Sequence, residues 1–125
     1  MPTARRMNHI HILVRDRTRA IAFYENVLGM KQTHTDVEDG EELIFMETED
    51  GDVLTLNVST HGEVGVRGGL RHFGFVIPAD SFDEARSAVT EYGGKWLGFA
   101  EWDEKKTFAY VKDPDGYVVE LHAKG

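Results

Sequence analysis

The chain has 125 residues, and 14 lysines and arginines against 22 aspartates and glutamates give a formal net charge of -8. This length fits one compact domain, and a composition of 41% hydrophobic and 29% charged residues is globular rather than disordered. The acidic balance argues against nucleic acid or an anionic membrane as a partner, and the lack of a long apolar run or a secretion signal predicts a cytoplasmic protein.

The first half of the chain predicts a strand, an amphipathic helix and three further strands. The opening strand covers residues 8–15, where alternation puts His9 and His11 on the same face. The helix has Asp16 as its N-cap and ends at Gly29. The three remaining strands are expected at residues 31–35, 42–47 and 52–58.

Two segments of this first part are predicted to be exposed loops. Residues 36–42 are mostly acidic and are typical of a solvated turn. Residues 59–69 contain four glycines and predict a flexible connector. His34 and His61 lie in or beside these segments, so we expect both to be solvated.

The second half repeats the first. Residues 50–56 match residues 115–121 at an offset of 65, and residues 9–14 resemble residues 72–77 at an offset of 63. The second helix begins with a capping-box pattern, in which Ser81 is followed by Glu84, and it ends at Gly93-Gly94. Strands are expected at residues 95–99, 106–112 and 117–122.

The repeat predicts an α+β fold built from paired βαβββ modules that form a cupped, barrel-like mixed sheet. We expect a single domain over residues 1–125, with module 1 at about 7–58, a linker at 59–69 and module 2 at about 70–123. Each helix would cover the apolar face of its own sheet. The opposite, polar faces would then line a shared cavity, where function is expected.

Four residues are predicted to face this cavity. Strand alternation selects His9, Thr55, His72 and Glu120, and the repeat pairs His9 with His72 and Thr55 with Glu120. With no cysteine in the chain, a metal would need His, Asp or Glu ligands. Two histidines and one carboxylate form a facial-triad set that leaves positions open for a substrate. Because Thr55 is a poor ligand, we predict a metal site of His9, His72 and Glu120.

Motifs spread over nearly the whole chain resemble the vicinal oxygen chelate superfamily. These motifs are Asn8-His9, then Ala22-Phe23-Tyr24 before Leu28-Gly29, and Asp113-Pro114-Asp115-Gly116 before Glu120-Leu121. The superfamily includes glyoxalase I, fosfomycin resistance proteins, extradiol dioxygenases, methylmalonyl-CoA epimerase and bleomycin-sequestering proteins. The resemblance implies that His9, His72 and Glu120 occupy metal-ligand positions, and that the protein forms a homodimer.

The resemblance also ranks the possible reactions. Glyoxalase I and the epimerases have Glu or Gln as a further ligand where this chain has Thr55. Fosfomycin resistance enzymes and extradiol dioxygenases use three ligands and have a tyrosine ten residues before the glutamate, as Tyr110 stands here. The dioxygenases also have a histidine shortly before that tyrosine, which residues 101–104 lack. The fosfomycin enzymes have a threonine where this chain has His11, so neither match is complete.

These observations predict a divalent-metal enzyme that chelates two adjacent oxygens of a small molecule. A dioxygenase-like Fe²⁺ site is the first expectation, ahead of a lyase or transferase with Mn²⁺, Ni²⁺ or Zn²⁺. Tyr110 would donate a hydrogen bond to a substrate oxygen, and His11 would act as a general base. Phe99, Trp102 and Phe108 would form an apolar wall.

Three alternatives to a dioxygenase stay open. A glyoxalase-like lyase or isomerase is possible if another group, such as His11, supplies the base. A fosfomycin-resistance-like transferase shares the three-ligand set. A protein that sequesters a drug or metabolite without chemistry, as bleomycin-resistance relatives do, would usually lack the metal ligands that this chain retains.

Overall fold

The computed structural model describes residues 1–66 and 68–124, and it shows two βαβββ modules. In chain order the elements are β1 (His9–Val14), α1 (Arg17–Leu28), β2 (Lys31–Glu38), β3 (Glu41–Glu47), β4 (Val53–Val58), β5 (Phe73–Ile77), α2 (Phe82–Glu91), β6 (Lys95–Phe99), β7 (Phe108–Lys112) and β8 (Val118–Ala123). One sheet has the order β1-β4-β3-β2 and the other has the order β5-β8-β7-β6. The predicted α+β fold class is therefore confirmed.

The strand registers show that the two modules are copies of one pattern. β1 pairs with β4 in parallel, and β5 pairs with β8 in the same way. Each module also has a register shift at the equivalent place, between Gln32 and His34 in the first and between Trp96 and Gly98 in the second. The internal repeat in the sequence thus extends to the irregularities of the sheets.

The two helices begin differently. The Asp16 side chain accepts a hydrogen bond from the Arg19 amide and caps α1, which ends at Gly29 in the left-handed conformation with φ of 63°. Ser81 makes no such bond to α2, because its hydroxyl donates to the carbonyl of Pro78 instead. The predicted Asp16 cap is confirmed, and the predicted capping box at Ser81 is wrong.

The acidic segment 36–42 contains a turn and is exposed over residues 36–40, as expected, but most of it belongs to a β-hairpin. β2 continues to Glu38 and β3 begins at Glu41, so only Asp39 and Gly40 form the turn. Both turn residues have positive φ, 54° and 80°, as a two-residue hairpin turn requires. His34 therefore lies within β2, where its ring centroid is 5.3 Å from that of Phe45.

One hydrophobic core serves both modules. The helices pack against each other, and Phe23 of α1 reaches across to the second module. A Cβ atom added to Gly94 would lie 2.6 Å from the Phe23 ring and 2.4 Å from the Lys112 carbonyl oxygen. Gly94, directly before β6, therefore has to be a glycine for the Phe23 ring and the Lys112 carbonyl to come this close to its backbone.

Hydrogen bonds also join the modules on the helix side. Tyr24 donates to the buried carboxylate of Asp113 at 2.6 Å, and Tyr117 donates to the Leu13 carbonyl at 2.8 Å. The Arg15 guanidinium holds the connector by donating to the carbonyl oxygens of residues 59, 61 and 62. The first residues of the connector that was predicted to be flexible are therefore anchored to module 1.

Among the residues that the structure describes, no helix has the length and apolar character needed to cross a membrane.

Candidate metal centre

The second sheet brings two of the three predicted ligands together. Glu120 of β8 lies opposite Gly74 of β5 and Tyr110 of β7, so these residues share one face. His72 comes directly before β5, and its Nε2 atom is 3.2 Å from Oε2 of Glu120. A Cβ atom on Gly74 would lie 2.9 Å from the Glu120 carbonyl oxygen, so a side chain there would displace this strand.

Tyr110 lies beside this pair, as the sequence predicts. Its ring meets the His72 ring edge to face, with the centroids 5.4 Å apart. Desolvation raises the pKa of the Tyr110 phenol, hydrogen bonding with Trp102 lowers it, and hydrogen bonding with Glu120 and the charge of that carboxylate raise it. A tyrosine phenol is protonated at neutral pH at its ordinary pKa, and the raised pKa does not change this, so Tyr110 can donate a hydrogen bond.

His9 lies on the first sheet, with an exposed side chain. Its Nδ1 atom is 2.7 Å from Oδ1 of Asn8. An amide oxygen only accepts hydrogen bonds, so this contact places the proton on Nδ1 and leaves the Nε2 lone pair free for a metal.

The three predicted ligands do not meet within one chain. Across residues 1–66 and 68–124, no three His, Asp or Glu side chains are placed to hold a metal together. Within one chain, His9 and Thr55 therefore lie on one sheet, and His72 and Glu120 lie at the other, so the ligand set of His9, His72 and Glu120 stays a prediction. The physical reason for this separation is that β1 and β5 are the edges of two separate sheets, and the modules contact each other through their helices.

The first sheet has its own polar cluster around His11. Its Nε2 atom is 2.9 Å from Oδ1 of Asn57, and the Asn57 amide donates to Glu41 at 3.2 Å. Thr55 lies opposite His11, is 2% exposed, and its hydroxyl has no partner among the described residues. The prediction singled out His11 and Thr55 but missed Asn57 and Glu41. Strand alternation could have found Asn57, which lies two residues after Thr55.

Two of the three predicted wall residues lie on the same face as Tyr110. The rings of Trp102 and Phe108 are 4.8 Å apart, and Phe108 stacks on His122 at 4.0 Å. Phe99 lies on the helix side instead, with its ring 5.3 Å from that of Phe82. The register shift in β6 turns Phe99 away from Tyr110, so its assignment to the wall is wrong.

The donor atoms fit a divalent transition metal. His72 and Glu120 are already in contact, and His9 offers a free imidazole nitrogen. Two imidazoles and one carboxylate suit Fe²⁺, Mn²⁺, Ni²⁺ or Zn²⁺. The buried Thr55 hydroxyl adds no strong fourth ligand.

Comparisons with known proteins place the fold in a family. Residues 6–121 match the family model described as the Glyoxalase/Bleomycin resistance protein/Dioxygenase superfamily. The chain is 30% identical to the metallothiol transferase FosB of Lysinibacillus sphaericus, covering 96% of this chain and 83% of FosB. It is 34% identical to the lactoylglutathione lyase of Salmonella typhimurium, covering 93% of this chain and 90% of the lyase.

A solved structure has the same fold. It is the E126Q mutant of the fosfomycin resistance protein FosX from Listeria monocytogenes, complexed with Mn(II) and 1S,2S-dihydroxypropylphosphonic acid. The TM-score is 0.72 at 18% identity, covering 95% of this chain and 92% of the FosX chain. With the family model matching residues 6–121, the chain belongs to the Glyoxalase/Bleomycin resistance protein/Dioxygenase superfamily.

Proposed function

We propose that the chain is a divalent-metal enzyme that acts on a small molecule with two neighbouring oxygens. The observation that carries the proposal is the 3.2 Å contact between His72 Nε2 and Glu120 Oε2, on the same face as Tyr110. These two side chains are two of the three ligands in the predicted metal site. The Mn(II) in the FosX structure supports a divalent ion here, and makes Mn²⁺ as strong a candidate as Fe²⁺.

The third ligand, in this proposal, is His9 from a second copy of the chain. His9 is exposed, and its contact with Asn8 leaves one ring nitrogen free. Because each chain would give His9 to one site and His72 with Glu120 to another, a symmetric dimer would hold two equivalent sites.

The residues of the chain would divide the chemistry between them. His9, His72 and Glu120 would hold the metal, which supplies Lewis-acid stabilisation of negative charge on a substrate oxygen. Tyr110 would donate a hydrogen bond to that oxygen. His11, fixed by Asn57, would accept a proton from the substrate.

Transferase or lyase chemistry is the better supported reaction class. Two of the relatives are named a metallothiol transferase and a lactoylglutathione lyase, and neither name supports the first preference for a dioxygenase. The position of Tyr110 beside Glu120 keeps an Fe²⁺ dioxygenase as the second candidate, because the extradiol dioxygenases share this tyrosine with the fosfomycin resistance enzymes.

Metal analysis tests the proposed ligand set. Purified protein, reloaded with Mn²⁺ or Fe²⁺ under anaerobic conditions, should bind about one ion per chain. His72→Ala and Glu120→Gln should each weaken binding about 100-fold or more, whereas His34→Ala, on an exposed strand, should bind like wild type. Equal metal binding by wild type and both ligand variants would contradict the proposal.

Product analysis then separates the reactions. Uptake of oxygen with a catechol panel would indicate the dioxygenase, and exchange of a substrate proton with solvent would indicate a lyase or isomerase. Consumption of a thiol together with an epoxide would indicate a transferase. Tight ligand binding without turnover, unaffected by His72→Ala, would indicate the sequestering protein instead.

A further inference from the structure

A row of stacked rings extends the candidate metal centre in one direction. We call this row the aromatic ladder, and its members are Trp102, Phe108 and His122. By register, Phe108 of β7 lies opposite His122 of β8, next to the opposed pair of Tyr110 and Glu120. Phe108 stacks on His122 with the ring planes only 10° apart, and Trp102 lies against Phe108 with the centroids 4.8 Å apart. The ladder therefore runs along the same face of the sheet as the proposed ligands.

Trp102 ends this ladder with a largely uncovered ring. Its exposed fraction is 65%, which is high for tryptophan, a side chain that is well buried on average. The other tryptophan, Trp96, is covered by Phe82, Phe99 and the Arg86 guanidinium. Trp96 is therefore partly buried, and Trp102 has the more accessible indole ring.

The loop that carries Trp102 is held in place by its own hydrogen bonds. Asp103 accepts from the amide and the hydroxyl of Thr107 at 2.8 and 2.7 Å, and from the Lys105 amide at 3.2 Å. The Asp103 amide donates to the Ala100 carbonyl at 3.3 Å. An exposed ring on a constrained loop loses little conformational entropy when a ligand binds.

We propose that Trp102 is the specificity-determining residue of the site and binds a planar, unsaturated ring of the substrate by stacking. The ring would lie on Trp102 while the neighbouring oxygens of the same molecule lie at Tyr110, His72 and Glu120. This inference rests on the proposed function, since it names the class of molecule that the proposed metal centre takes. Tyr110 joins the two parts of this elongated site, because its hydroxyl hydrogen-bonds with Trp102 and its ring meets that of His72.

A matched pair of diols tests the proposal. 1-Phenylethane-1,2-diol and 1-cyclohexylethane-1,2-diol present the same two oxygens, and only the first has a planar ring. Simple burial of apolar surface would favour the larger cyclohexyl group. Stacking on Trp102 should instead make the phenyl compound bind about two- to tenfold more tightly. Dissociation constants are measured by calorimetry, with and without Mn²⁺.

Three variants provide the controls. Trp102→Leu keeps an apolar side chain without a flat ring, so the phenyl preference should fall to about one, whereas Trp102→Phe should keep part of it. Trp96→Phe should keep the full preference, and in that background the fluorescence of Trp102 alone should report phenyl binding. Circular dichroism and thermal unfolding confirm that each variant folds.

Several outcomes would overturn the proposal. These are equal binding of the two diols, tighter binding of the cyclohexyl compound, an unchanged preference in Trp102→Leu, or Trp102 shielded from acrylamide in the ligand-free Trp96→Phe protein. Failure of the proposed function would look different. In that case Mn²⁺ would strengthen the binding of neither diol, while the preference for the phenyl ring would still be measurable without metal.

Discussion

Asp113 sits at the junction of the two modules and accepts three hydrogen bonds. Tyr24 donates from α1, and the backbone amides of Asp115 and Tyr117 donate from the turn before β8. Burial raises the pKa of the Asp113 carboxyl to about 6, although the hydrogen bonds oppose the shift. The carboxylate therefore has its hydrogen-bond partners in place, but its burial away from water disfavours the charged form.

This raised pKa predicts how stability depends on pH. The folded state binds the proton of Asp113 more tightly than the unfolded state does, so its stabilising contribution is complete below pH ~4 and is lost as the pH rises through about 6. The free energy of unfolding of wild type minus that of Asp113→Asn should fall by up to about 3 kcal/mol over this window. Urea unfolding at a series of pH values measures it, and a difference that stays constant with pH would contradict the assignment.

At the scale of single residues, the sequence predicts the face of a strand better than the neighbours of a side chain. Alternation correctly put His72 and Glu120 on one face, because Gly74, two residues after His72, lies opposite Glu120 in regularly paired strands. The assignment of Phe99 to the wall failed, because an irregularity in β6 turns its side chain away from Tyr110. The partners of His11 were also missed, because hydrogen bonds between strands depend on a register that composition does not encode.

At the scale of elements, the closest packing occurs where β6 begins beneath α1. A Cβ atom on Gly94 would meet a backbone oxygen and the Phe23 ring at distances that real structures do not allow. We therefore expect Gly94→Ala to lower the free energy of unfolding by about 2–3 kcal/mol. Gly69→Ala is the matched control, because nothing lies within 4 Å of its added Cβ atom and it should change stability little. Equal stability of the two variants in urea would refute this account of the junction.

Element boundaries followed from the sequence where a local signal was strong. Asp16 and Gly29 marked the ends of α1 because a cap and a left-handed glycine act locally. The two-residue turn at Asp39-Gly40 was missed because the charges around it suggested a longer solvated turn, whereas residues 36–38 are exposed and still pair with β3 through their backbone. At Ser81 the capping-box pattern was present, but the Ser81 hydroxyl donates its hydrogen bond to the Pro78 carbonyl and not to the helix.

At the scale of the whole molecule, the proposed dimer makes a prediction about mixed variants. His9→Ala and His72→Ala should each lose metal binding as pure proteins. After unfolding and refolding together in equal amounts, about a quarter of the wild-type sites should return, because half of the dimers are mixed and each mixed dimer has one intact site. Metal content and gel filtration measure the result. No recovery despite verified mixed dimers would show that His9 does not act across the interface.

The sequence predicted both modules, but it did not predict how they meet. The repeat fixes what each half contains, because equivalent positions carry equivalent side chains. The repeat does not tell which strands of the two modules lie next to each other. In the structure, β1 and β5 are not hydrogen-bonded into one sheet, and they border an open groove of about 480 Å³. His9 and Gly74 line this groove, whereas His72 and Glu120 are not among its lining residues.

The separation between a shared core and two independent polar faces has an evolutionary consequence. Phe23, Tyr24 and Asp113 tie the halves together on the helix side, so substitutions there affect both modules. The polar faces that carry His11 and Glu120 lie away from these contacts. Substitutions on one polar face can therefore change its chemistry without disturbing the shared core, and the internal repeat, which pairs Thr55 with Glu120, shows that the two faces already differ.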